Sequence, residues 1–128
     1  MSDARIYLGR AGEEEAALFL TRNGYKILQK NYRIKAGEID IVASDGGVIC
    51  FVEVKTRHSK KFGSPQEAVS ELKKRKISRV AVCYLKEKCL LHKKARFDVV
   101  SLLVEQGKEI QDIRVIKNAF ELDERFSY

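Results

Sequence analysis

Hydrophobic and polar positions change period several times along the chain, and each change marks an element. Ala16, Ala17 and Leu20 recur at helical spacing. Glu13, Glu14 and Glu15 precede or overlap them, where a helix dipole favours acids, so residues 9–23 read as a first helix. Asn23-Gly24 is a stop signal, because glycine takes the left-handed C-terminal cap without strain. Residues 25–33 follow as a strand. Over residues 37–43 the period becomes two, with Glu38, Asp40 and Val42 on one face and Ile39 and Ile41 on the other. Asp45-Gly46-Gly47 is a tight-turn signal. Residues 48–56 form the most apolar strand, β-branched and suited to burial on both faces.

Ser64-Pro65-Gln66-Glu67 then reads as a capping box with proline at the first helical position, which starts a second helix running to about residue 86. Its apolar stripe is Val69, Leu72, Ile77, Val80, Ala81 and Tyr84. Residues 96–104 and 110–118 complete the pattern as two strands. Three consecutive strands joined by short turns predict an antiparallel meander. The helix before residue 96 is long enough for a parallel crossover. The expected fold is therefore α/β with a mixed central sheet. With no internal repeat and no proline-rich linker, residues 1–128 read as a single domain.

Composition narrows the class. The chain has 128 residues, 45% of them hydrophobic, too many for a disordered tail, and no apolar run long enough to span a bilayer. The first residues lack the layout of a signal peptide. Cys50, Cys83 and Cys89 are odd in number and make no CxxC pair, which fits reduced thiols in a cytoplasmic protein rather than a zinc site or a disulfide frame. The net charge is +7, and residues 73–96 hold ten Lys/Arg against one acid, Glu87, so a polyanion, nucleic acid above all, is the expected partner and a membrane is not.

The candidate chemistry interrupts the best strand. Glu53 and Lys55 share one face of Phe51-Val52-Glu53-Val54-Lys55, and a charge pair in a central strand is costly unless it is paired or binds a ligand. A two-residue turn on Gly46-Gly47 sets Asp40 opposite Glu53 and Glu38 opposite Lys55. A turn on Asp45-Gly46 sets Glu38 opposite Glu53, with Asp40 diagonal. In both registers all four groups share a face. Paired carboxylates repel unless a cation joins them, and oxygen donors without His or Cys suit Mg²⁺ or Mn²⁺. With a lysine beside them they suit phosphodiester hydrolysis. Arg57 continues the alternation, Lys60 and Lys61 lie in the basic loop that follows, and Lys73 falls early in the second helix. These four are the expected nucleic-acid contacts. Asp98 reads as a structural acid paired with Arg96 or a helix residue.

Asp40…Glu53-Val54-Lys55 resembles the PD-(D/E)xK nuclease superfamily. Gly9-Arg10-x-Gly12-Glu13, Gly24-Tyr25, Asn31-Tyr32-Arg33, Gly37-Glu38-Ile39-Asp40, Phe51 to Arg57, Phe62-Gly63-Ser64-Pro65 and Arg96-Phe97-Asp98-Val99 are together similar to the bacterial YraN family, whose members are described as related to Holliday-junction-resolvase-like nucleases. The similarity runs from Gly9 to about Phe120. It implies a restriction-endonuclease-like core of helix, three-strand antiparallel meander, helix and strand. It implies Asp40 and Glu53 as metal ligands, Lys55 as the catalytic lysine and Glu13 as an auxiliary catalytic acid. The superfamily's proline before the aspartate is Ile39 here, and the family's frequent glutamine early in the second helix is Lys74. The expected function is an Mg²⁺- or Mn²⁺-dependent, endonuclease-like phosphodiesterase acting on DNA, with branched or repair intermediates as candidate substrates. The alternative is a binding module of the same fold that holds nucleic acid without cutting it. Cutting two strands symmetrically needs two sites, which makes a homodimer compatible with the first reading.

Overall fold

The structure, a computed structural model, describes residues 2–58, 70–104 and 109–120, with side chains from residue 11 onward. Seven elements follow in order: α1 (Ser2–Arg22), β1 (Lys26–Ile34), β2 (Gly37–Asp45), β3 (Val48–Arg57), α2 (Glu71–Glu87), β4 (Ala95–Val104) and β5 (Ile110–Phe120). The strands form one sheet in the order β1-β2-β3-β4-β5. Neighbours are antiparallel except β3 and β4, which run parallel across the α2 crossover. This is the α/β mixed sheet read from the sequence, and its order of helix, meander, helix and strand is the one the family resemblance implies.

The helices cover opposite faces. Ala16, Ala17 and Leu20 of α1 pack on Tyr25, Ile41, Ala43, Cys50, Val52 and Val100. Ile77, Val80, Ala81, Tyr84 and Leu85 of α2 pack on Tyr32, Ile39, Val42, Phe51, Phe97 and Val99. β3 alternates between these cores, Phe51 toward α2 and Val52 toward α1, which explains why it is apolar on both faces. α1 ends in a Schellman motif at Gly24 (φ +90°): Tyr25 N donates to the Leu20 carbonyl and Gly24 N to that of Thr21. At Gly12, a built Cβ would lie 3.1 Å from Leu102 Cδ1 and 3.3 Å from Thr56 Oγ1, so the missing side chain lets α1 approach β3 and β4 closely.

Two helix starts differ from the sequence reading, and the first is α1, which begins at Ser2 rather than at residue 9. Ser70 is extended (φ −69°, ψ 162°) and its Oγ accepts from Lys73 N, so it caps a helix beginning at Glu71 and no helix runs unbroken from Pro65. The Ser64–Glu67 capping box lies outside the described residues. The later start leaves Leu72 in the first turn on the outer face, 60% exposed, where the pattern had assigned it to the buried stripe.

Asp98 closes the far side of the sheet. Its fully buried carboxylate accepts from Tyr25 Oη at 2.8 Å, Arg96 Nε at 3.0 Å and Asn118 N at 2.9 Å, and Arg96 also reaches Asp45 at 2.6 Å. This network ties the end of α1, the β2–β3 turn, β4 and β5 together, and gives Asp98 the structural role expected of it. No described helix is long and apolar enough to cross a membrane.

Candidate functional site

The β2–β3 hairpin turns on Gly46 (φ +58°) and Gly47 (φ +87°), both in the left-handed region that a two-residue type I′ turn requires. Pairing from Asp45↔Val48 to Ile41↔Val52 follows the first of the two candidate registers. The ladder then stops. β2 stays paired with β1 as far as Gly37↔Ile34, and β3 stays paired with β4 as far as Arg57↔Leu103. The sheet therefore forks between β2 and β3, and the candidate residues sit at the fork.

Two observations explain the fork. Continued in register, Val54 would face Ile39. Instead its N–H donates to Asp40 Oδ2 at 2.8 Å, so a side chain replaces the strand ladder. Alternation in β2 also breaks at Asp40: Ile39 packs on the α2 side and Ile41 on the α1 side, where strict alternation would put both on one face. The residue across from Asp40 on β1 is Asn31, between the pairs Lys30↔Ile41 and Tyr32↔Ile39, and it is left-handed (φ +52°). Both strands are thus irregular at one level. The sequence reading of Glu38 is corrected accordingly. It faces neither Glu53 nor Lys55 but pairs with Arg33 at 2.9 Å. With its amide nitrogen turned toward the acids, Asn31 donates to Glu38 Oε1 at 3.1 Å and Glu13 Oε2 at 3.0 Å.

The central group comprises Asp40, Glu53, Lys55 and Lys73. Glu53 is buried, and its Oε2 lies 3.2 Å from Lys73 Nζ, which reaches in from the first turn of α2. Lys73 and Lys55 also interact electrostatically. Burial and then the Asp40 charge push the Glu53 carboxyl up to about 7, against the opposing pull of Lys73. Loss of solvent therefore outweighs the ion pair. Burial likewise raises Asp40, opposed by the Val54 N–H. Lys55 is lowered, by burial first and then by Lys73. Lys73 is raised: burial opposes this, but the pull of the Glu53 and Asp40 carboxylates prevails. Glu13, from α1, is raised by burial, Asp40 and Glu38.

Four sequence-selected residues, Asp40, Glu53, Lys55 and Glu13, thus interact electrostatically around the fork. Arg57 is the last residue of β3 and half-buried. Lys60 and Lys61 lie outside the described residues. Lys73, read from sequence as a nucleic-acid contact, pairs with Glu53 while its side chain stays 39% exposed. The α2 residues exposed to solvent include Arg75, Lys76, Arg79 and Lys86. Sequence reasoning did not foresee the roles of Asn31 and Lys73. The only signal for Lys73 was its place near the start of the helix after the strand that carries Glu53 and Lys55.

The donor set suits a hard divalent ion. Burial raises the proton affinity of both carboxylates, and the Asp40 charge raises that of Glu53 further, so a cation between them relieves both repulsion and burial. Among the described residues no three His, Cys, Asp or Glu side chains form a ready cage. Mg²⁺ does not need one, since it keeps several waters and takes one or two carboxylates plus substrate phosphate oxygens.

Comparison with known proteins agrees with the motifs. A UPF0102 protein of Syntrophus aciditrophicus is 50% identical over 115 residues, 89% of this chain and 88% of its own. One from Caldicellulosiruptor saccharolyticus is 48% identical over 113 residues, covering 88% and 96%. Among solved structures, Pyrococcus furiosus SfsA in complex with Ca²⁺ aligns with a TM-score of 0.39 and 15% identity over 88% of this chain and 62% of that one. The model of the uncharacterised protein family UPF0102 matches residues 12–102, and the chain belongs to that family, the YraN family its linked motifs resemble.

Proposed function

We propose that this protein is a metal-dependent nuclease that hydrolyses phosphodiester bonds in DNA in the cytoplasm. The observation that carries the reading is the fork, which brings the buried Glu53, the half-buried Asp40 and a partly buried lysine from adjacent strands to one place. Asp40 and Glu53 would hold Mg²⁺ or Mn²⁺, which when bound supplies Lewis-acid polarisation of the phosphate and a water of lowered pKa. Asp40 is fixed by the Val54 N–H, so its free oxygen is aimed without loss of rotamer freedom on binding. Lys55, its amine lowered by burial, can take or return a proton at Nζ beside the attacking water or face the charge that develops on phosphate. Glu13, steadied by Asn31, adds an acidic group on the α1 side.

The exposed cations of α2, with Arg57, Lys60 and Lys61, supply the charge that would hold a nucleic-acid backbone. Affinity for DNA is expected to fall steeply with salt. Replacing Lys60, Lys61 and Lys76 by Ala should flatten the log–log salt slope by about one unit for each phosphate that is no longer neutralised. A salt-independent affinity would contradict the polyanion reading.

The function itself is tested by incubating labelled duplex, single-stranded and four-way-junction DNA with the protein in Mg²⁺, Mn²⁺ or EDTA. Cleavage of at least one substrate with either ion and none in EDTA is expected. Retained binding with no cleavage of any substrate would leave the non-catalytic binding module.

A further inference from the structure

The ion pair between Lys73 and Glu53 joins unlike environments. The Glu53 side chain is 7% exposed and that of Lys73 is 39% exposed. The carboxylate is fixed in β3, in the middle of the sheet. The lysine enters from the solvent side on a flexible four-carbon stem. Its backbone is held independently, because Lys73 N donates to Ser70 Oγ at 3.1 Å in the α2 cap. The side chain can therefore leave Glu53 without disturbing the helix or the core.

A divalent ion between Asp40 and Glu53 would meet this ammonium. Lys73 Nζ sits 3.2 Å from Glu53 Oε2 and interacts electrostatically with Asp40 and Lys55. Like charges at such separations repel strongly in a partly buried site. We propose that Lys73 is an exchangeable counter-ion, competing with the divalent ion for Glu53 and withdrawing toward solvent when that ion binds. The inference rests on the nuclease reading and deepens it. Lys73 neutralises a carboxylate that would otherwise be buried and unpaired, and it sets a threshold concentration for metal entry. Once displaced, its ammonium lies at the mouth of the fork, where a phosphodiester would bring negative charge. Lys55 cannot play the same part, because it stands in β3 itself and remains part of the sheet.

The test is Mn²⁺ titration followed by electron paramagnetic resonance of the free ion, on wild type, Lys73→Met and Lys73→Arg at one pH and ionic strength. Lys73→Met keeps much of the stem and removes the charge. It is expected to bind Mn²⁺ about tenfold to a hundredfold more tightly than wild type, and Lys73→Arg to stay near wild type. Thermal unfolding supplies the second readout. In EDTA, Lys73→Met should melt earlier than wild type, and Mn²⁺ should raise its melting temperature by more. A wild type that binds Mn²⁺ and a Lys73→Met that binds it no more tightly would overturn the exchange and leave the nuclease reading standing. Failure of both proteins to bind Mn²⁺ would overturn both. Equal loss of melting temperature in EDTA and in Mn²⁺ would make Lys73 a structural ion-pair partner and nothing more.

Discussion

Asp40→Asn is expected to lower divalent-dependent cleavage by about 10³-fold or more, since a metal's stabilisation of the transition state is worth several kcal/mol. The melting temperature in EDTA should stay the same or rise. The amide oxygen can still accept from Val54 N–H, so the fork keeps its closing hydrogen bond. What disappears is a negative charge that burial already disfavours and that pushes up the Glu53 carboxyl. Lys55→Ala should cost about 10²- to 10³-fold in cleavage while leaving both carboxylates in place to bind the ion. A cluster whose only work is structural gives the opposite pattern. Its variants melt earlier by the equivalent of about 3–5 kcal/mol as a buried ion pair is broken, with no activity to lose. Cleavage and melting temperature measured on the same preparations separate the two, and unchanged cleavage in Asp40→Asn would remove Asp40 from the mechanism.

The largest effect on stability is expected away from the site. Asp98→Ala removes the acceptor shared by Tyr25 Oη, Arg96 Nε and Asn118 N, at a position with no access to water. Leaving these donors in the interior should destabilise the protein by about 3–5 kcal/mol in urea unfolding. Arg96 keeps Asp45, which limits the loss. Asp98→Asn preserves the shape and should cost less. A change below about 1 kcal/mol for Asp98→Ala would show that the network reorganises around the gap. Cleavage per folded molecule should be unaffected, because none of these groups touches the fork.

The parts of the fold legible in the sequence were those set by local periodicity. Gly46-Gly47 announced the hairpin and one of its two admissible registers, and the apolar run of β3 announced burial on both faces. Gly24 announced the end of α1. The start of α2 was misplaced because Ser64-Pro65-Gln66-Glu67 and Ser70 both offer caps, and local chemistry alone does not rank them. The site was half legible. A period-two argument brings Asp40, Glu53 and Lys55 to one region, but it assumes that both strands alternate without a break. The left-handed Asn31 and the diversion of Val54 N–H to a side chain violate that assumption at the very level of the site, and they turn Glu38 toward Arg33. Lys73 was invisible as a partner of Glu53 because that ion pair joins residues 20 apart through the packing of α2 on the sheet, which no periodicity encodes.

The central claim is that Asp40 and Glu53 together form one site for a divalent cation. Mn²⁺ uptake by wild type, Asp40→Asn and Glu53→Gln, measured by isothermal titration on folded protein, tests it most directly. Saturable binding of Mn²⁺ by wild type, strongly weakened in each single variant while both still unfold cooperatively, is the predicted result. Variants that take up Mn²⁺ as wild type does would contradict it.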